Sequence, residues 1–170
     1  MSYFFCASTP LVDAASSAMA VEALASRVAI DRPITVQSVN GPQSTLIEGH
    51  TDFTSGMRCV YLTNGASLSG FTLKHGFTLN GGDAIRDQSG GAVFCESISA
   101  VVSNCVISGD EAYVNGGGVV SGTLNNCTLS SNFALQECGG AYGSTLNHCN
   151  LSGNSSTWGG GAFSGKINYC

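Results

Sequence analysis

Apolar positions in the C-terminal half of the chain return at a spacing that neither an amphipathic helix nor a simple hairpin produces. Gly117-Gly-Val-Val-Ser-Gly-Thr-Leu-Asn-Asn-Cys127-Thr-Leu-Ser-Ser-Asn132 is followed by Gly139-Gly-Ala-Tyr-Gly-Ser-Thr-Leu-Asn-His-Cys149-Asn-Leu-Ser-Gly-Asn154. Gly160-Gly-Ala-Phe-Ser-Gly-Lys-Ile-Asn-Tyr-Cys170 then completes the series, the offsets being 22 and 21 residues. One repeat earlier, Val102-Ser-Asn-Cys105-Val-Ile-Ser-Gly-Asp110 falls in the same frame, with five extra residues between Gly90-Gly91 and Cys105. Leu68-Ser-Gly-Phe71-Thr-Leu73 extends it further, with Phe71 in the cysteine slot.

Within each repeat the cysteine and the following Leu or Ile (107, 129, 151) are separated by one residue, the period of a strand, so both fall on one face. The preceding Val, Leu or Ile (102, 124, 146, 167) lies three residues before the cysteine, which breaks the alternation and calls for a bend. Asn125-Asn126, Asn147-His148 and Asn168-Tyr169 fill that bend, and Asn tolerates left-handed backbone. The predicted order is strand, bend, strand, loop, Gly-Gly, strand. A period near 22 without the leucine framework of a leucine-rich repeat points to a parallel β-helix, with layers about 4.8 Å apart.

The same frame assigns the cysteines. Cys105, Cys127, Cys149 and Cys170 are expected in one column facing the core, with Phe71 continuing it. Parallel Cα–Cβ vectors about 4.8 Å apart hold the Cβ atoms beyond the usual disulfide separation, so free thiols acting as small buried hydrophobes are expected over disulfides. No paired Cys or His spacing suggests a metal site. The remaining Cys6, Cys59, Cys95 and Cys138 lie outside this column, and their redox state is left open.

Composition supports stacked strands and tight turns. Charged residues make up 10% of the chain, against roughly 25% in ordinary domains, and there are 23 glycines. A net charge of −5 with no basic run argues against nucleic acid and anionic membrane surfaces. No apolar run is long enough to span a bilayer, so membrane insertion is not expected. The opening Met1-Ser-Tyr-Phe-Phe-Cys6-Ala lacks the charged start of a signal peptide, and the sequence leaves the localisation open.

On the repeats quoted above, residues 28–170 resemble the pectate-lyase-like right-handed parallel β-helix superfamily. They are similar in particular to Gly-Gly-Ala…Leu-Asn-Asn-Cys-Thr-Leu-Ser repeats of large bacterial secreted and surface proteins, some of them adhesin-like. The resemblance implies an all-β fold, a right-handed solenoid, and secreted or cell-surface relatives. It says little about activity, because the architecture hosts many functions. Residues 1–27 depart from it. Thr9-Pro10 reads as a helix start, and Leu11, Ala14, Ala18, Val21, Ala25 and Val28 fall on one helical stripe. A short helix capping the first turn is expected there, with a disordered leader as the alternative.

The loops after the Leu/Ile-Ser strand ends stack along one edge. They hold Lys74, His75, Asp83, Arg86, Asp87, Asp110, Glu111, Tyr113, Glu137 and Trp158. Trp158 and Tyr113 as stacking platforms, Glu137 as the hydrogen-bond acceptor, and Glu111 and Asp110 as further ligand-binding carboxylates are what a carbohydrate groove uses. Solvated loop charges are the plainer account. Paired carboxylates in adjacent turns would also serve glycoside hydrolysis if suitably spaced. The resembling lyases, however, use a calcium-binding carboxylate cluster and a basic residue on the strand face. Here those positions hold Ser, Gly, Thr and Asn, with only Lys166 intruding. No catalytic residue, cofactor or metal ligand is therefore assigned. The expected function is a non-catalytic scaffold or binding module, carbohydrate-binding or adhesin-like. A polysaccharide lyase or glycoside hydrolase is the alternative. The apolar columns end at Phe163, Ile167 and Cys170, and pairing of that end with a second copy in a homodimer is expected.

Overall fold

The computed structural model of the protein describes residues 2–5, 26–51 and 56–170. Among them no helix occurs, and every strand joins a parallel ladder except His50–Thr51, which turns back antiparallel on Gly56–Met57.

The strands form stacked parallel sheets whose members are equivalent positions of successive repeats. The first sheet runs Ser2–Phe5, Thr35–Ser38, Ser67–Ser69, Val101–Ser103, Thr123–Asn125, Thr145–Asn147, Lys166–Asn168. The second runs Leu46–Glu48, Thr72–Lys74, Val106–Ser108, Thr128–Ser130, Asn150–Ser152. The third runs Ser26–Ile30, Gly56–Leu62, Val93–Cys95, Val119–Val120, Ala141–Tyr142, Ala162–Phe163. A short edge sheet joins Glu111–Ala112, Phe133–Glu137 and Ser155–Trp158. The register follows the sequence frame: Val102 pairs with Leu124, Leu124 with Leu146 and Leu146 with Ile167, while Ile107 pairs with Leu129 and Leu129 with Leu151.

In the inner three-residue strands of the first two sheets the central residue points inward and its neighbours face out. In Val93–Cys95, by contrast, the two outer residues enter the core and Phe94 packs with Tyr61 and Val120. Leu68, Val102, Leu124 and Leu146 from the first sheet meet Leu73, Ile107 and Leu129 from the second and Val60, Val93 and Val119 from the third in one core. Burying a side chain of this size contributes about 2 kcal/mol. Phe71, Cys105, Cys127 and Cys149 are buried in the same core, and all three of these thiols are free. Cys170, expected with them, is exposed, although its Sγ still accepts a hydrogen bond from the Cys149 N–H at 3.2 Å.

The bend has the backbone its residues favour. Asn104, Asn126, His148 and Tyr169 adopt left-handed φ between 51° and 56°. Gly70 takes this place one layer earlier, with φ 79°. The Gly-Gly element has a different cause, close approach of backbones. A Cβ on Gly117 would lie 2.2 Å from the carbonyl oxygen of Phe133, and one on Gly139 would lie 2.3 Å from that of Ser155.

Two insertions depart from the uniform repeat. Val93 and Val101 are eight positions apart, while their partners Val119 and Thr123 are four apart, so this layer carries four extra residues rather than five. They form a polar corner in which Glu96 accepts from the Tyr61 hydroxyl, from Thr63 Oγ1 at 2.8 Å and from the Asn64 N–H at 3.3 Å. A longer insertion follows Lys74. Nineteen positions separate Lys74 from Val93, but their partners Ser108 and Val119 are eleven apart.

The N-terminal expectation changes in part. Ser26–Ile30, including Val28, is a strand of the third sheet paired with Gly56–Leu62, so the helical stripe does not extend to Val28. Ser2–Phe5 pairs in parallel with Thr35–Ser38. The rest of the stripe, Leu11 to Ala25, lies outside the described residues.

Candidate functional site

The edge sheet is built from the residues that follow the buried Asp/Asn position of each repeat. Phe77 bridges to Glu111, Glu111 pairs with Phe133, and Phe133 pairs with Ser155. Ala112 and Ala134 fill the inward positions and are buried, so the residues on either side face solvent. Phe133 is 40% exposed and Leu135 44%. Glu111 is exposed, and Tyr113, Phe77 and Leu79 are half-buried. The result is an apolar and aromatic strip crossing successive layers, from Phe77 and Leu79 through Tyr113 to Phe133 and Leu135. Trp158, 67% exposed, lies at its far margin as the register partner of Glu137, which also bridges to Asn115.

The insertion after Lys74 closes the other end. Asp83 organises it: its Oδ1 accepts from the Ile85 and Arg86 N–H groups at 3.0 and 2.8 Å, and its own N–H donates to Asp87 Oδ2 at 2.8 Å. Arg58, from the third sheet, ties down the return of the loop. Its Nε donates to the carbonyls of Ser89 and Gly90 at 3.1 and 3.0 Å, and its Nη2 to those of Arg86 and Ser89 at 2.5 and 2.9 Å. The guanidinium lies 5.4 Å above the Phe94 ring. Burial lowers its pKa to about 10, against the opposing pull of the Asp87 charge. Between Arg58 and the loop lies a cleft of about 360 Å³, walled by Phe77, Thr78, Leu79, Asn80 and Asp87. Phe77 and Leu79 belong to both cleft and strip.

The structure thus brings Glu111, Tyr113, Glu137 and Trp158 onto one edge. Asp110, expected there as a ligand-binding residue, is wholly buried instead. Its Oδ1 accepts from the Gly76 N–H at 2.7 Å and lies 3.7 Å from Cys59 Sγ. The reason is positional: Asp110 occupies the slot of Asn132 and Asn154 in the following layers, where the side chain turns inward to bind backbone. Lys74 is half-buried on the second sheet, and His75 pairs with Glu48 at 2.8 Å. Phe163 and Ile167 are 47% and 57% exposed. Among the described residues no group of three His, Cys, Asp or Glu is placed to hold a metal.

Sequence reasoning missed Arg58, Phe77, Leu79, Phe133 and Leu135. A signal existed for four of them. Phe77-Thr-Leu79, Glu111-Ala-Tyr113 and Phe133-Ala-Leu135 each follow the inward Gly, Asp or Asn, with a small residue in the middle. Alternation of this kind marks a half-buried strand. Arg58 carried no such signal, because its partners are carbonyls of an insertion outside the repeat.

No family model matches the chain, and searches of curated proteins and of solved structures return no match.

Proposed function

We propose that this chain is a right-handed parallel β-helix acting as a non-catalytic binding module, with an extended carbohydrate as its ligand along the Phe77–Leu135 strip. The observation that carries the reading is the strip itself: five apolar or aromatic side chains on one edge across three layers, with Glu111 in register between Phe77 and Phe133 and Glu137 at the far margin. Sugar rings offer apolar C–H faces to such side chains and hydroxyl donors to the carboxylates within and beside the strip. A chain of −5 net charge favours an uncharged glycan over an acidic one. The burial of Asp110 supports binding over hydrolysis, since it leaves Glu111 without that carboxylate as a partner in the groove.

A glycan array run beside a lyase assay on acidic polysaccharides tests the proposal. Binding to neutral glycans that Phe133→Ala weakens at least tenfold is expected. Turnover above background, or binding unchanged in Phe133→Ala, overturns it.

A further inference from the structure

In two successive layers an asparagine performs the same double task. Asn132 Oδ1 accepts from the Asp110 N–H at 3.0 Å, and its Nδ2 donates to the Ile107 carbonyl at 3.1 Å. Asn154 Oδ1 accepts from the Asn132 N–H at 3.1 Å, and its Nδ2 donates to the Leu129 carbonyl at 2.8 Å. Each amide therefore satisfies the N–H of its counterpart one layer back and the carbonyl three residues before that counterpart.

Asp110 stands in this slot one layer earlier. Its Oδ1 does the acceptor half, taking the Gly76 N–H. The carbonyl three residues before Gly76 belongs to Leu73, the register partner of Ile107. By the same pattern the Asp110 oxygen that corresponds to the asparagine Nδ2 is Oδ2, which is buried and has no hydrogen-bond partner. An ionised carboxylate has no donor to offer there; a carboxylic acid has one.

We propose that Asp110 is held as the neutral acid, a protonated stand-in for asparagine, and that it acts as a proton-operated latch between the Asp110 layer and the Leu73–Thr78 segment before it. With its proton, Oδ2–H completes the ladder as Nδ2–H does in the next two layers. Without it, a carboxylate oxygen is left in a slot that supplies backbone carbonyl rather than donor, inside the core. The layer must then open to water, and the segment it releases carries Phe77 and Thr78, where the strip and cleft begin. Burial opposes the charge more than the neighbours favour it: the Gly76 and Ser108 backbone N–H groups and the Cys59 thiol all favour the carboxylate, and burial outweighs them. Cys59, from Gly56–Leu62, is itself buried and offers only a thiol. Asn132 is uncharged, and the Val106–Ser108 strand has no ionisable side chain. Lys74, from Thr72–Lys74, is the one cation acting on the group, and burial outweighs it, pushing the carboxyl well above its ordinary range.

The sign follows. A carboxyl whose folded pKa lies above its unfolded value stabilises fully below about pH 4 and loses that contribution as pH rises toward the folded value. The latch is thus strongest in acid. It is independent of what the strip binds.

The test compares the full chain with Asp110→Asn. Relative to Asp110→Asn, the wild-type unfolding constant in urea should rise by up to about tenfold per pH unit above about pH 4, until the folded pKa is reached. Amide protection of Gly76 and Phe77 should fall with it in the wild type alone. The Asp110 13Cγ resonance, read in the wild type, should stay in the protonated range at neutral pH, and this measurement stands even if the variant folds poorly. A 13Cγ titration near pH 4, or a stability difference between the two proteins that does not change with pH, overturns the proposal.

Discussion

Asn147 donates its side-chain amide to the side-chain oxygen of Asn125 at 2.8 Å, and Asn168 repeats the bond onto Asn147. The amide ladder lies beside the left-handed column of Asn126, His148 and Tyr169, so the two halves of each Asn-Xaa pair do different work. The first links layers through its side chain, and the second turns the backbone. Asn147→Ala breaks two of these bonds at once and should cost about 1–2 kcal/mol in urea unfolding. At the neighbouring position the ranking reverses. Asn126→Gly should be nearly neutral, whereas Asn126→Val, a β-branched residue at φ 54°, should cost about 2 kcal/mol. Equal effects of the two substitutions would show that φ at this bend is not the constraint.

The thiols should separate sharply by position. Burial pushes the Cys105 thiol up to about 11 and the Cys95 thiol up to about 12. The hydrogen bond with Cys149, together with burial, pushes Cys127 up as well. Among the described cysteines, Cys170 alone is exposed. Mass mapping after brief treatment of the native protein with a thiol reagent should find label at Cys170 and none at Cys59, Cys95, Cys105 or Cys127. Rapid modification of Cys127 would show the column is not buried as described. Cys127→Ser should cost on the order of 1–3 kcal/mol by placing a hydroxyl there.

What was legible in the sequence follows from how each residue is constrained. Leu124, Cys127 and Leu129 are fixed by a packing environment that recurs every layer, so their spacing exposes the strands and the bend. Gly117 and Gly139 recur for an equally local reason, a backbone too near for any Cβ. Arg58 and Asp110 were illegible because their roles depend on single events. One ties down an insertion that occurs once, and the other substitutes for asparagine in one layer. Asp110 looked like a loop carboxylate because a chain with few charges places most of them in loops. Only alignment of its slot with Asn132 and Asn154 shows that the side chain turns inward.

Arg58 should prove far more important to stability than a residue outside the repeat suggests. Its guanidinium satisfies the carbonyls of Arg86, Ser89 and Gly90 in a buried setting. Arg58→Met keeps the apolar stem but leaves those carbonyls without their donor, at a cost on the order of 3 kcal/mol. Hydrogen exchange should quicken first in residues 82–90. Arg58→Lys should recover little, because one ammonium cannot span the carbonyls that the planar fork reaches. Full recovery by lysine would mean that charge alone is required.

Trp158 offers the opposite case, a large side chain with little structural duty. At 67% exposure it contributes little to the core, so Trp158→Ala should change stability by no more than about 0.5 kcal/mol. If the edge binds a glycan, affinity should nevertheless fall, because a rigid ring beside Glu137 supplies stacking area at small entropic cost. Isothermal titration with whichever neutral oligosaccharide the array identifies, run on wild type and variant, reads both quantities against the same melting curves. Unchanged affinity would take Trp158 out of the site while leaving Phe133 and Leu135 to be judged separately.

Gly139 and Gly143 sit four residues apart and test two different demands for glycine. Gly139 has no room: a Cβ would lie 2.3 Å from the Ser155 carbonyl oxygen and 2.5 Å from that of Asn132. Both are backbone atoms held in parallel ladders, so neither can withdraw without parting two layers. Gly143 has open space around it but a φ of 64°, which an alanine adopts only under strain. Gly143→Ala should therefore cost about 1 kcal/mol, the penalty of left-handed backbone. Gly139→Ala should cost more than about 4 kcal/mol or prevent folding, in the range reserved for steric disruption of a packed interior. Ser121 and Ser164, which occupy the Gly143 position in adjacent layers at φ 59° and 57°, show that a side chain is tolerated there. If the two variants unfold at the same urea concentration, close backbone approach is not what sets the Gly-Gly element.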